Sequence, residues 1–192
     1  MAGAWDTVSG HQANIYRSAS NPSSTAFGAD EAIRYYTDVG QINPSKICLG
    51  MPVYGRAFLN TDGPGQPFSG VGEGSWEAGV WDYKALPLPG ATEYYDPDLI
   101  ASWSYDPSQR MMVTYDTPEA EIHKSAYIKQ TGLGGAMWWE CSADKPKGDQ
   151  NLVWTVANAL GGGDYSRLDR SNNLLDYPQS KYDNLRSQFP NN

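Results

Sequence analysis

The sequence predicts an α/β fold built around a parallel sheet. Three features predict it, in chain order: a nearly continuous apolar run at Lys46–Tyr54, a well-capped helical run at 117–131, and a second apolar run at 135–139. Strand, helix, strand is a βαβ unit, and parallel neighbours require such a crossover.

Residues 1–28 read as loop, rich in polar residues and without sustained periodicity. Asp30-Glu31 open a helical run through Val39 that places Ala32, Ile33, Tyr36 and Val39 on one face, and Gly40 ends it. Lys46–Tyr54 reads as a strand covered on both faces, because it barely alternates. Pro52 conflicts with a central strand position and fits better at the strand's end, where the chain leaves the sheet and Gly55-Arg56 follows.

Residues 58–116 are rich in Gly, Pro and Tyr. Their short runs at Gly79–Tyr83, Ala101–Tyr105 and Met111–Tyr115, separated by Asp-Pro turns, predict a small β-rich insertion. Thr117-Pro118-Glu119 then supplies an N-cap, a proline at the first helical position and an acid in the first turn, and the helix stops at Gly132. After the strand at 135–139, Asp149 is expected to cap a last helix with Leu152, Val153, Val156 and Leu160 on one face and Gly161-Gly162-Gly163 at its end. The tail, 164–192, is polar, and its Leu174, Leu175, Tyr177, Tyr182, Leu185 and Phe189 are expected to pack on the outside. Only two strong parallel strands are visible. A (β/α)8 barrel takes roughly 250 residues, so 192 with an insertion supply only part of one.

Composition narrows the function classes. A net charge of −8 argues against nucleic acid as a partner, since binding a phosphate backbone needs a basic surface. No apolar run approaches the length of a membrane span. The start, Met1-Ala2-Gly3-Ala4-Trp5-Asp6, lacks the basic and apolar segments of a secretory signal. Cys48 and Cys141 sit in or just after apolar runs and read as buried free thiols, with a disulfide as the alternative. His11 and His123 lie far from both cysteines in sequence, so no metal site and no cofactor is expected, and His123 reads as a surface residue of the 117–131 helix.

With 7 Trp and 13 Tyr the chain is rich in aromatics, which suits a large core or a cleft for ring-shaped polar ligands. Gly134-Gly135-Ala136-Met137-Trp138-Trp139-Glu140 concentrates this signal: a strand ends in two indoles beside a carboxylate. Neighbouring strand residues face opposite ways, so only one indole can face a cleft, and the spacing alone leaves that choice even.

Four segments in order, Ser9–Asn14, Gly50–Phe58, Gly132–Glu140 and Leu175–Pro178, with Trp81-Asp82-Tyr83-Lys84 between them, resemble the C-terminal part of a family 18 glycoside hydrolase, close to the fungal secreted endochitinases. The resemblance covers nearly the whole chain. It implies a (β/α)8 barrel with 46–54 as strand seven, 117–131 as helix seven, 135–139 as strand eight and 149–160 as helix eight. On that frame 1–58 and 117–192 belong to the barrel, and 59–116 form an α+β insertion domain.

The resemblance also implies site residues. Trp139, directly before the acid, becomes the floor on which a sugar stacks, and Trp138 turns into the core. Arg56 hydrogen-bonds substrate in the cleft, or on the plain reading caps a strand end or pairs with an acid. Glu77 contacts sugar near the cleavage point, or is a solvated loop charge. Tyr54 lines the cleft or is structural, and Trp5 borders the leaving-group side. The implied substrate is chitin, hydrolysed with retention by a substrate-assisted mechanism. The family's general acid closes a DxxDxDxE run that has no match here: Asp96-Pro97-Asp98 shares one spacing without the Glu, and the Tyr-Asp pair ending strand six is missing too. Glu140 belongs to cleft structure rather than acid catalysis. The chain alone is therefore expected to be inactive, with a non-catalytic, lectin-like chitin-binding module as the alternative. The whole enzyme is expected to be monomeric and extracellular.

Overall fold

The computed structural model describes residues 3–172 and 176–187. Two sheets organise it. Strands β1 (Cys48–Pro52) and β7 (Gly135–Trp139) form a two-stranded parallel sheet in which Cys48 pairs with Gly135 and Pro52 with Trp139. The second sheet is antiparallel with five strands in the order β3 (Val80–Asp82), β2 (Tyr54–Phe58), β6 (Met111–Thr114), β5 (Ala101–Asp106), β4 (Thr92–Asp96).

The apolar run at Lys46–Tyr54 is thus two strands rather than one. Lys46 lies in a short 3-10 turn, and the chain bends at Val53 between the sheets. Val53 holds both sheets at the bend: its N–H donates to the Trp139 carbonyl (2.9 Å) and its carbonyl accepts from the Tyr83 N–H (3.2 Å). Pro52 ends β1, where a missing N–H disturbs the ladder least. Tyr54–Phe58 thus belongs to the five-stranded antiparallel sheet, not to the parallel pair.

The parallel pair is covered on one face only among the described residues. Leu49, Met51, Ala136 and Trp138 turn toward a core that includes Ile15, Ile33, Tyr127, Ile128 and Val156. The alternate residues Cys48, Gly50, Met137 and Trp139 are exposed. The continuous apolar pattern suggests burial on both sides, and the second side is bare. This also corrects the expectation of buried thiols: Cys48 lies on the bare face, Cys141 on the turn after β7, and both are free and exposed.

The helices follow their capping residues. Helix α2 (Pro118–Thr131) begins with the Thr117 side chain accepting from the Ala120 N–H and ends at Gly132, whose φ of 68° is the left-handed conformation that glycine accepts without strain. Gly134 then lets the chain pass the Ser45 carbonyl, which a Cβ would meet at 2.3 Å. Helix α3 (Leu152–Gly161) is capped by Asn151, not Asp149, because a turn closed by the Asn151 N–H on the Gly148 carbonyl occupies the residues before it. Helix α1 (Ala29–Arg34) is shorter than the sequence suggests. A π turn over Tyr35–Val39 continues it, closed by the Gly40 N–H on the Tyr35 carbonyl. The wider turn rotates Tyr36 and Val39 away from Ile33, and only Ile33 of that predicted face is buried.

A second core fills one face of the antiparallel sheet: Val53, Ala57, Tyr83, Leu86, Met111, Val113 and Tyr115, closed by Ala143 and Leu152. Trp138 packs against both cores and joins them. Strand β4, largely exposed and polar, carries no apolar pattern that the sequence could announce. Asp96 at its end makes a turn, with its carboxylate accepting from the N–H groups of Asp98 and Leu99. In the tail, Tyr177 and Tyr182 are exposed and Leu185, in α4 (Asp183–Arg186), is half-buried, so the expected packing is slight; Leu174, Leu175 and Phe189 lie outside the described residues. Among the described residues no helix is long and apolar enough to cross a membrane, and no His, Cys, Asp and Glu cluster is arranged to hold a metal ion.

Candidate functional site

The exposed face of the parallel pair forms one wall of a groove of about 350 Å³, lined in part by Gln12, Asn14, Tyr54, Lys124, Met137 and Trp139. No Asp or Glu lines it. Strand alternation decides which tryptophan faces it. Trp138 goes to the helices, and Trp139, 69% exposed, stands in the groove. The Trp139 carbonyl is fixed by the Val53 N–H, and the Trp139–Glu140 peptide bond is cis.

Glu140 is turned to a structural task. Its carboxylate accepts from the Ser142 N–H (3.1 Å) and the Ser142 hydroxyl, which caps a 3-10 turn. The side-chain bond from Ser142, with the backbone bond beside it, holds the carboxyl below its ordinary pKa. An acid that must donate a proton near neutrality needs the opposite shift.

Arg56 projects from the same face of β2 as Tyr54. Its guanidinium lies 4.9 Å from the centroid of the Trp5 indole and 5.6 Å from that of the Tyr54 ring. Its Nε is buried without a protein partner. Trp5 is 64% exposed, on a loop closed by the Gly3 N–H on the Asp6 carboxylate and anchored further along by pairing of Val8 with Pro67. Tyr54 connects the two ends of the site, since it lines the groove with Trp139 and lies against Arg56. Four of the five predicted residues are thus linked. Glu77 is not: it is exposed on the loop before β3 and does not line the groove.

Sequence reasoning missed the polar residues beneath this surface. Gln12 donates from its amide to the carbonyls of Tyr54 (2.7 Å) and Thr114 (3.1 Å), which ties the N-terminal loop across β2 and β6. Asn14 donates to the Tyr16 and Phe27 carbonyls. Lys124 and Asp116 form a buried ion pair at 2.5 Å, and Glu121, one turn before Lys124 on α2, is fully buried with neither carboxylate oxygen bonded within the protein. Burial raises the Asp116 carboxyl and, more strongly, that of Glu121; Asp116 adds to the latter shift and Lys124 opposes it. Buried polar residues leave no periodic signature, and only the placement of Gln12 and Asn14 in the Ser9–Asn14 segment drew attention to them.

Residues 1–144 match the family model described as glycosyl hydrolases family 18. The chain is 48% identical over 189 residues to Endochitinase 1 of Metarhizium robertsii, covering 98% of this chain and 43% of that protein. Among solved structures it is similar to the catalytic domain of the psychrophilic chitinase B from Arthrobacter, with 33% identity, a TM-score of 0.72, and coverage of 82% of this chain and 36% of that one. It is also similar to a plant class V chitinase mutant from Cycas revoluta solved in complex with (GlcNAc)3, with 25% identity, a TM-score of 0.69, and coverage of 83% and 44%. The chain therefore spans less than half the length of these proteins.

Proposed function

The chain belongs to family 18 of the glycosyl hydrolases, and on that premise we propose that it binds chitin and chito-oligosaccharides along Trp139, Tyr54, Arg56 and Trp5 as the C-terminal portion of a chitinase barrel. In this reading residues 59–116 serve as the insertion domain, and Glu77 reaches a sugar from its loop. The reaction served is hydrolysis of β-1,4-linked N-acetylglucosamine with retention, in which the substrate's own acetamide attacks and one glutamic acid protonates the leaving oxygen. The whole enzyme acts outside the cell as a monomer.

One observation carries the proposal: an exposed indole stands at the end of a parallel strand, in a groove that no carboxylate lines. The indole suits a pyranose ring. The missing carboxylate, together with the stabilised anion at Glu140, supports binding without turnover by this chain alone. The same feature favours the second reading, a lectin-like chitin-binding module.

Titration of tryptophan fluorescence with chitohexaose, beside a turnover assay on a chitobioside reporter, tests both claims. A saturable shift without turnover is expected. Absence of a shift would remove the binding site, and turnover that disappears in Trp139→Ala would refute inactivity.

A further inference from the structure

The Trp81-Asp82-Tyr83-Lys84 segment does not line the groove, yet it reaches the loop that follows the platform strand. Lys84 Nζ donates to the Ser142 carbonyl at 2.9 Å and lies 3.1 Å from Asp82 Oδ2. Asp82 is buried; its N–H donates to Ser75 Oγ at 2.9 Å, and Oδ2 accepts from the Trp76 indole N–H at 3.2 Å. Beyond Ser142 the contacts continue, because the Ser142 N–H and hydroxyl bind the Glu140 carboxylate. Beside this line, the Tyr83 hydroxyl donates to the Gln150 carbonyl at 2.9 Å, and Lys145 Nζ lies 4.4 Å from the Tyr83 ring centroid. A continuous polar path thus runs from the insertion sheet to the residue next to Trp139.

An exposed indole has few side-chain neighbours to fix its plane, so the backbone on both sides must hold it. Before Trp139 this is done by β-pairing and the bond from Val53 to its carbonyl. After it, the turn at 140–142 is tied to the insertion sheet through Lys84. We infer that Asp82 and Lys84 are positioning residues that set the plane of Trp139 relative to Tyr54 and Arg56. The inference rests on the reading of Trp139 as the sugar platform. The Lys84 side chain is about half exposed, and the buried Asp82 carboxylate keeps its bond from the Trp76 indole N–H when the ammonium is removed, so the change should disturb the platform more than the fold.

The full chain labelled with 5-fluorotryptophan tests this by fluorine NMR, with the Trp139 line identified by its loss in Trp139→Phe. Lys84→Met should leave the thermal midpoint in place, shift and broaden the Trp139 line without ligand, and weaken chitohexaose binding about tenfold. Lys84→Arg, which keeps a charged donor, should restore both. An unchanged Trp139 line in Lys84→Met overturns the inference. So does a Lys84→Met chain that unfolds or moves all its tryptophan lines together, which would assign Lys84 a general packing role. The ligand-free line separates the two claims: a wild-type chain indifferent to chitohexaose ends the platform reading, while the line still decides whether Lys84 positions Trp139.

Discussion

The Arg56 guanidinium lies 4.9 Å from the Trp5 ring centroid, so a cation of the antiparallel sheet is held against an aromatic of the N-terminal loop. Tyr54 flanks it at 5.6 Å, and the Nε is buried without a protein partner. On the proposed reading it is therefore the terminal N–H groups of the guanidinium, rather than the Nε, that meet a sugar hydroxyl or acetamide oxygen. Arg56→Met should therefore weaken chitohexaose binding by about 1–3 kcal/mol, through loss of both the donor and the stacked cation. Arg56→Lys should recover only part of this, because an ammonium lacks the flat fork. Full recovery in the lysine variant, read by fluorescence titration, would show that charge alone matters.

Glu121 predicts a pH dependence of stability. Burial raises its carboxyl well above the usual range, and the groups facing it are Asp116, Lys124 and Asp144, with Tyr83 near these acids. The unfolded chain releases this proton near the ordinary glutamate value of about 4.3 while the folded chain retains it. The stabilisation is thus complete below that value and is lost as pH rises toward the folded pKa, by at most about 1.4 kcal/mol per pH unit. Burial also lowers the pKa of His11, to about 4, which acts in the opposite sense as stability falls on acidification between the ordinary histidine value and that one. Comparing wild type with Glu121→Gln cancels the His11 contribution. Urea midpoints should coincide near pH 4 and separate progressively above it, with the glutamine variant the more stable. Parallel curves would show that Glu121 is ionised in the fold.

The legible parts of the chain were those with a local cause. Thr117, Pro118 and Gly132 fix α2 by capping and φ, and Gly135–Trp139 announces its strand. The boundary at Val53 was illegible because β1 and β2 form one apolar run, and only pairing with different partners divides them. Strand β4 was missed because it is held by β5 rather than by its own pattern. In the site, Trp139 came from strand alternation combined with the family resemblance. Gln12 owes its role to a contact across 102 residues, which no local window reveals, while Asp116 and Lys124, only 8 residues apart, are distinguished by burial rather than by any periodic pattern.

The start of α3 gives a prediction against the sequence reading. Asn151 Oδ1 accepts from the Trp154 N–H at 2.6 Å, and the two oxygens of Asp144 accept from the Leu152 and Val153 N–H groups at 3.0 Å each. Three first-turn donors are thereby satisfied. Asn151→Ala should cost about 1 kcal/mol of unfolding free energy, and Asp144→Ala, which strands two first-turn donors and the Lys145 N–H, about 2 kcal/mol. Asp149→Ala should shift the urea midpoint little. A larger loss at Asp149 than at Asn151 would restore the cap that the sequence suggested.

Cys48 reports on the bare face of the parallel pair. It stands on the same side as Met137 and Trp139, opposite the residues that enter the core, and it is exposed with a free thiol. Cys141 is exposed on the turn after β7, and the register places Cys48 at the far end of the sheet from that turn. The two thiols therefore sample opposite ends of the parallel pair. Ellman's reagent should count two fast thiols in the native chain, the same number as in denaturant. If further strands lay over this face, or if two copies paired through the unprotected edges of β1 and β7, Cys48 would be shielded and Cys141 would still react. One fast and one slow thiol would thus mean that the face is covered in solution. A slow phase that disappears on dilution would identify a second copy as the cover, and one that persists would place the cover within the chain.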